Sequence, residues 1–144
     1  LVLCGIVLML AYCTPSLFTF VRRVSVMATT AVSADSGVYS VAYVTVPSED
    51  VGKELATKLV QNKLAACVNI VPKVISVYEW ENKIEQDNEA MMVIKTRTSR
   101  MDDLTEFVLK NHPYDVPEVI AMPIIAGSSA YLEWIGNIVQ PKKQ

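Results

Sequence analysis

One thiol and one imidazole are the side chains best suited to chemistry. Cys67 is the only cysteine outside an apolar N-terminal segment, and His112 is the only histidine of the chain. A thiolate nucleophile needs a neighbouring base, and both groups are ligands for copper or zinc. A closed metal site needs three or four such ligands, so one chain cannot complete it. Copies of Cys67 and His112 around the axis of a cyclic oligomer would supply the rest.

Each of these two residues also has a simpler interpretation. Cys67 lies in an apolar run, where a free cysteine usually packs as a small hydrophobic residue. His112 precedes Pro113 at the end of a predicted helix, where an imidazole would hydrogen-bond to the last carbonyl groups of that helix. The spacing of the two residues does not show whether they meet, so both interpretations stay open.

Acidic residues form a second candidate feature around a predicted hairpin. They are Glu79, Glu81, Glu85, Asp87 and Glu89. Such a cluster can attract hard cations, although an acidic run is more often a solvated surface. The sequence contains no glycine-rich phosphate loop and no HExxH, CxxC or GxSxG motif. Catalysis is therefore poorly supported, and we predict a protein that is not an enzyme.

Length and composition narrow the classes further. A chain of 144 residues fits one domain around a single core. Hydrophobic residues make up 51% and charged residues 19%, a balance that excludes intrinsic disorder. The net charge of -2 provides no broad basic surface for a phosphate backbone, so a nucleic-acid binder is disfavoured.

The chain divides into a hydrophobic leader with a small polar lead-in, residues 1–34, and a folded domain, residues 35–144. The apolar stretch of the leader is long enough, as a helix, to cross a bilayer. Three interpretations stay open for it. A signal peptide would be cleaved after Val32-Ser33-Ala34, whereas an anchor would be held by Arg22-Arg23 on the cytoplasmic side. A start at Met27 would omit the leader.

Localisation follows from these alternatives. A used leader places the protein in the membrane or the secretory route, whereas a start at Met27 places it in the cytoplasm.

Alternating strand and helix patterns predict the fold of the domain. Strands are predicted at 38–46, 65–80, 90–96 and 118–125, and helices after Ser48, over 100–111 and after 127–129. Ser99 is the expected N-cap of the second helix, with His112-Pro113 as its end. Pro72 predicts a bulge, and Pro123 predicts an edge strand. The order predicts an α+β, ferredoxin-like βαββαβ fold with a C-terminal helix.

The predicted hairpin around Tyr78-Glu79-Trp80 is too long for a four-stranded core. Its unprotected edges favour association between copies. The alternative is that Tyr78 and Trp80 pack under the helices of their own chain.

Three ordered motifs resemble one known family, the CutA divalent-cation-tolerance proteins. They are KLVQNKLAACVNIVP from Lys58 to Pro72, VYEWENKIEQDNEAMMVIKT from Val77 to Thr96, and HPYDVPEVI from His112 to Ile120. The leader followed by Met27 resembles the animal members, one of which is associated with anchoring acetylcholinesterase in brain membranes. The resemblance covers residues from about Val38 to Ile138.

The resemblance implies a homotrimer whose long hairpins pair across subunits. It also implies copper binding, with Cys67 and His112 matching positions discussed as metal ligands, and a role in metal tolerance. Bacterial members carry a further cysteine where this chain has Val44, and often a second histidine where it has Asn111. Any copper site would therefore use copies of Cys67 or His112 from different subunits.

Two functions are expected from these observations. The first is a non-catalytic trimeric scaffold that binds copper weakly and engages protein partners, including acetylcholinesterase, with membrane association through the leader. The second is a small-molecule sensor or an uncharacterised enzyme. It would use clefts between subunits near Tyr114, Glu118 and Lys95, as in the PII-type signalling proteins that the trimeric plan resembles.

Overall fold

The computed structural model describes residues 31–33 and 37–142. The signal-peptide, anchor and Met27 interpretations concern residues that lie largely outside these ranges. The strands are β1 (Ala31–Ser33), β2 (Tyr39–Val46), β3 (Cys67–Trp80), β4 (Lys83–Arg97), β5 (Ile120–Pro123) and β6 (Ala126–Ser128). The helices are α1 (Glu49–Gln61), α2 (Met101–Asn111) and α3 (Ser129–Ile138).

The main sheet has four antiparallel strands in the order β3-β4-β2-β5. Strand β2 lies between β4 and β5, as its uncharged sequence predicts, and β5 is an edge strand, as Pro123 predicts. Helices α1 and α2 cover one face. The core beneath them consists of alternate residues of β2 and β4 with helix leucines and valines, including Val44, Val46, Leu59, Met92, Ile94, Leu104 and Val108. The ferredoxin-like prediction is confirmed.

Helix α1 begins where the sequence indicates. Ser48 is its N-cap, and the Ser48 hydroxyl accepts a hydrogen bond of 3.3 Å from the Val51 amide. The acidic side chains of Glu49 and Asp50 follow in the first turn, where the positive end of the helix dipole favours them. Leu55 and Leu59 lie one turn apart and are buried against the sheet.

The N-cap prediction for α2 is wrong. Residues Thr98–Arg100 form a 3-10 turn that leads directly into the helix, so Ser99 lies inside helical structure instead of at its start. Arg100 takes the N-cap position without a side-chain cap, and its guanidinium bonds Asp103 at 2.9 Å. The predicted end of α2 is confirmed, because His112 is the C-cap.

The end of the chain also differs from the prediction. The fourth strand is shorter than residues 118–125, and Ala126–Ser128 form a separate strand that pairs antiparallel with Ala31–Ser33. Strand β1 lies within residues 1–34, which the sequence analysis assigns to the leader and its polar lead-in. Three-residue strands are too short to show a hydrophobic period, so this small sheet leaves no sequence signal.

Helix α3 covers one end of the sheet face that α1 and α2 leave free. Leu132, Ile135 and Val139 pack there against Ala66 and Tyr39. Arg97 of β4 holds this end, because its Nε and Nη2 donate to the carbonyl oxygens of Val139 at 2.8 Å and of Gly136 at 3.1 Å. Within the described ranges, no helix combines the length and apolar character that a membrane span requires.

Replacing Thr96 by valine is expected to lower the free energy of unfolding by about 1–3 kcal/mol. The Thr96 side chain is fully buried and donates a 2.6 Å hydrogen bond to the Leu64 carbonyl oxygen. Valine keeps the shape but removes the donor. Urea unfolding checks this result, with Thr57→Val as the control because the Thr57 hydroxyl donates to a backbone carbonyl at an exposed site. Equal losses of unfolding free energy in the two variants would contradict the view that burial makes the Thr96 hydrogen bond the more important one.

Candidate functional site

Cys67 is the first residue of β3 and is half-buried. It pairs with Lys95 of β4 and lies on the sheet face opposite α1 and α2. Tyr131 of α3 is its neighbour, and burial together with the Cys67 thiol raises the pKa of the Tyr131 hydroxyl. The thiol is therefore placed near the part of the open face that α3 borders.

His112 follows α2, and its ring contacts the central strand instead of its own helix. The Nε2 atom lies 2.8 Å from the Thr45 carbonyl oxygen, and the Tyr114 amide lies 3.1 Å from Nδ1. Because the Tyr114 amide can only donate, Nδ1 is the acceptor of this bond. The ring hydrogen is therefore on Nε2, which donates to the Thr45 carbonyl oxygen. Both ring nitrogens are engaged, so the expected bonds to the carbonyls of α2 are replaced by bonds to β2 and to the following loop.

Cys67 and His112 do not meet within one chain. Cys67 pairs with Lys95 of β4, and Lys95 pairs in turn with Val41 of β2. His112 bonds Thr45, which lies four residues further along β2. This displacement alone corresponds to about 13 Å of extended chain. In the part of the chain that the structure describes, no group of three or more histidine, cysteine or acidic residues could hold a metal ion.

The β3–β4 hairpin extends beyond the core as an arm, residues 74–88. Its strands are in register up to Trp80 and Lys83, and Glu81 and Asn82 form the turn with positive φ angles of 49° and 61°. A shift in register between Val71 and Val74 confirms the bulge predicted from Pro72. Tyr78 and Trp80 are exposed, so the arm does not pack under the helices of its own chain.

An open cavity of about 950 Å³ lies between the arm and the loop that follows His112. Three aromatic residues line it, namely Tyr78, Trp80 and Tyr114. Four carboxylates line it as well, namely Asp87, Glu89, Asp115 and Glu118. Tyr114 and Glu118 thus line one cavity of the single chain. Lys95 does not line this cavity in the same chain, because its ammonium group bonds Asn69 and the Val93 carbonyl on the open sheet face.

Glu89 is the buried acidic group of this cavity, with 8% of the residue exposed. The Ser76 hydroxyl donates to its Oε2 atom at 2.5 Å. Burial and the adjacent Glu89 charge raise the pKa of Tyr114 to about 12. The nearby Tyr78 hydroxyl donates to Asp87 at 2.5 Å, and this bond raises the pKa of Tyr78. The sequence places the acidic residues of the hairpin in one run and does not show that Glu89 is the one that becomes buried when the strands pair.

The CutA1 divalent ion tolerance protein model matches residues 40–137. The chain belongs to this family. Protein CutA, chloroplastic, of Arabidopsis thaliana is 61% identical over 97 residues, which cover 67% of this chain and 53% of that protein. The chain thus spans about half the length of this plant relative. The protein CutA homolog of Xenopus laevis is 48% identical over 132 residues, covering 90% and 85% of the two chains.

Solved structures agree with this membership. The protein in the crystal structure of CutA1 from Oryza sativa is 51% identical to this chain. The two structures superimpose with a TM-score of 0.72, and the match covers 76% of this chain and 100% of that one. The CutA resemblance of the three sequence motifs is therefore confirmed. The family is described as one of divalent ion tolerance proteins.

Proposed function

We propose that this CutA1 family member is a non-catalytic homotrimer that acts in divalent cation tolerance and binds copper through side chains of different subunits. The observation that carries the proposal is a large apolar surface that the single chain leaves uncovered.

Two continuous apolar areas support assembly. On the arm, Ile75, Val77 and Ile84 share one face and are 59%, 64% and 72% exposed. On the open face of the sheet, Val71, Ile120 and Met122 are exposed as well. Contiguous apolar surface of this kind usually marks a protein–protein interface. Strands β3 and β5 are also edge strands, whose free backbone groups can pair with another copy.

A second copy of this chain is the occupant that this surface fits best. The arm extends past its own helices, so its apolar face has no covering element in the subunit to which it belongs. Three-fold symmetry is proposed from the CutA resemblance, which implies hairpins that pair across subunits.

Copper is proposed as the bound metal because thiolate is a soft ligand that favours Cu(I), and imidazole also suits copper. Cys67 borders the open sheet face and is free of a disulfide, so copies of its thiol can approach one another in an assembly. His112 is the weaker candidate, because a metal on Nδ1 would displace the Tyr114 amide and a metal on Nε2 would displace Thr45. The proposed site therefore uses Cys67 first, with His112 joining only if its loop rearranges.

Native mass spectrometry with Cu(I) and Cu(II) is expected to find a trimer that carries a fixed number of copper ions. Cys67→Ala is expected to abolish this uptake, and His112→Ala to reduce it. Asn69→Ala is the control, because Asn69 lies two residues from Cys67 on the same face of β3 but offers no soft ligand. A trimer without copper would remove the metal part of the proposal, and a monomer would contradict the assembly.

A role as a scaffold for a partner enzyme, such as acetylcholinesterase, is proposed from the resemblance to the animal members. It would require residues 1–34 to bring the domain to the membrane or the secretory route. Forms with the leader and forms that start at Met27 would be compared in membrane fractions after alkaline extraction. Recovery of both forms only in the cytosol would contradict membrane association.

A second candidate function is a small-molecule sensor, and the cavity beside the arm favours it. Its volume of about 950 Å³ is that of a site for a small organic ligand. Nucleotides and metabolites would be screened for a concentration-dependent rise in melting temperature, since a ligand that binds only the native state must stabilise it. No rise with any compound would count against this function.

A further inference from the structure

Strand β1 fixes the N-terminal side of the domain to β6 by antiparallel pairing. We propose that this short sheet holds the assembled protein upright on a lipid bilayer, with the β1–β6 end nearest the lipid and the tip of the arm farthest from it. This orientation depends on the proposed trimer and on a leader that acts as an anchor. It determines which end of the domain faces the membrane.

The β1–β6 pair and the tip of the arm lie at opposite ends of the sheet. The Ile124 amide, directly after β5, donates to the Tyr39 carbonyl oxygen at 2.9 Å, and β6 begins two residues later. Tyr39 pairs with Arg97, the last residue of β4, whereas Lys83 at the tip is the first. At about 3.3 Å per residue, the 15 residues of β4 separate the two ends by about 45 Å.

A short tether joins the β1–β6 end to the leader. The apolar stretch ends before Arg22-Arg23, which an anchor would hold at the cytoplasmic surface of the membrane. The chain from residue 23 to residue 31 spans at most about 26–29 Å when fully extended. Without β1 the tether would continue to Gly37 and span up to about 46–50 Å. Pairing of β1 with β6 therefore shortens the tether by about 20 Å.

These lengths exclude an orientation in which the tip of the arm contacts the lipid. In that orientation β1 would lie about 45 Å from the membrane surface, farther than a tether of about 26–29 Å can extend. A tether without β1 would be long enough to allow it. The pairing of β1 with β6 is thus the feature that decides the orientation.

Symmetry applies the same limit to every subunit of the proposed trimer. Three equivalent subunits need three equivalent anchors, so a trimer cannot lie on its side with one β1 far from the lipid. The resemblance also implies arms that pair across subunits, and such arms keep their tips together at one end of the assembly. The three β1–β6 ends then share the side that faces the membrane.

Energy transfer from one fluorophore to labelled lipid measures this orientation. The full-length chain in phosphatidylcholine vesicles would have serine in place of its three cysteines and a label at Ser129→Cys or Asn82→Cys. Ser129 is exposed directly after β6, and Asn82 is exposed at the tip of the arm. The label at position 82 is expected to lie at least about 30 Å farther from the membrane, which allows for tilted strands.

Equal distances for the two labels, or a shorter distance for the label at position 82, would overturn the proposal. The form that starts at Met27 lacks the leader and gives the background transfer.

A proline variant tests the role of β1 itself. Successive amide groups of a strand point to opposite sides, so Ala31→Pro with Val32→Pro necessarily removes a donor that faces β6. The longer tether is expected to reduce the difference between the two label distances by at least about half. Thr29→Pro with Thr30→Pro is the control, because it adds the same residues before β1. An unchanged difference in the β1 variant would contradict the assigned role of β1.

Membrane association and orientation fail in different ways. If the full-length chain is recovered only in the cytosol and neither label transfers energy to lipid, both the anchor and the orientation are wrong. If the chain stays in the membrane fraction but the two labels lie equally far from the lipid, the anchor stands and the orientation is wrong.

Discussion

Replacing Val77 and Ile84 together by aspartate is expected to convert the proposed homotrimer into folded monomers. Both side chains are largely exposed on one face of the arm, so the change has little effect on the single subunit. In the proposed trimer the same side chains are buried against a neighbouring copy. Each buried aliphatic side chain contributes about 1.5–3 kcal/mol, and two buried carboxylates add a desolvation cost.

Native mass spectrometry and sedimentation would measure the loss of the trimer. The dissociation constant of each interface is expected to rise by at least about a hundredfold. Thr57→Asp with Gln61→Asp is the control, because it adds the same charge at exposed positions of α1 away from the arm. A trimer that survives the arm variant would show that the apolar face of the arm does not form the interface.

Replacing Leu59 by alanine is expected to lower the free energy of unfolding by about 2–5 kcal/mol. Leu59 has no exposed surface and lies in the core between α1 and the sheet. Alanine loses the transfer free energy of the removed carbons and leaves a cavity that the packed sheet cannot close.

Urea unfolding, at a concentration where the protein stays assembled, would measure this change. Leu109→Ala in α2 is the matched control, since Leu109 is 53% exposed and its truncation leaves no internal cavity. A loss below about 1 kcal/mol for Leu59→Ala would mean that the core of α1 is much looser than its burial indicates.

Much of the fold was predictable because long elements carry strong periods. The uncharged β2, the amphipathic α1 and the Pro72 bulge were each indicated by local residue types, and the structure confirms them. Ser99 misled the prediction because serine is a common N-cap, whereas the chain was already helical there. The short β1–β6 pair depends on contacts between distant parts of the chain, which no local pattern contains.

The candidate site was less predictable than the fold. Residue types indicate Cys67 and His112 as candidates. Their distance depends on how the strands pair, and this pairing separates the two residues within one chain. The pairing of the strands likewise determines that Glu89, and not the other acids of the same run, is buried next to Tyr114. Single-residue chemistry is visible in a sequence, whereas the neighbours of a residue follow from pairing across strands.

The two-residue turn at Glu81 and Asn82 has a consequence for the order of folding. Because the turn joins β3 directly to β4, the arm can form from contacts local in sequence, whereas β5 pairs with β2 across about 80 residues of chain. The apolar face of the arm is thus exposed early, before any partner subunit is present. Glu79 and Glu85 lie along the same hairpin, and their like charges oppose the stacking of nascent arms into aggregates.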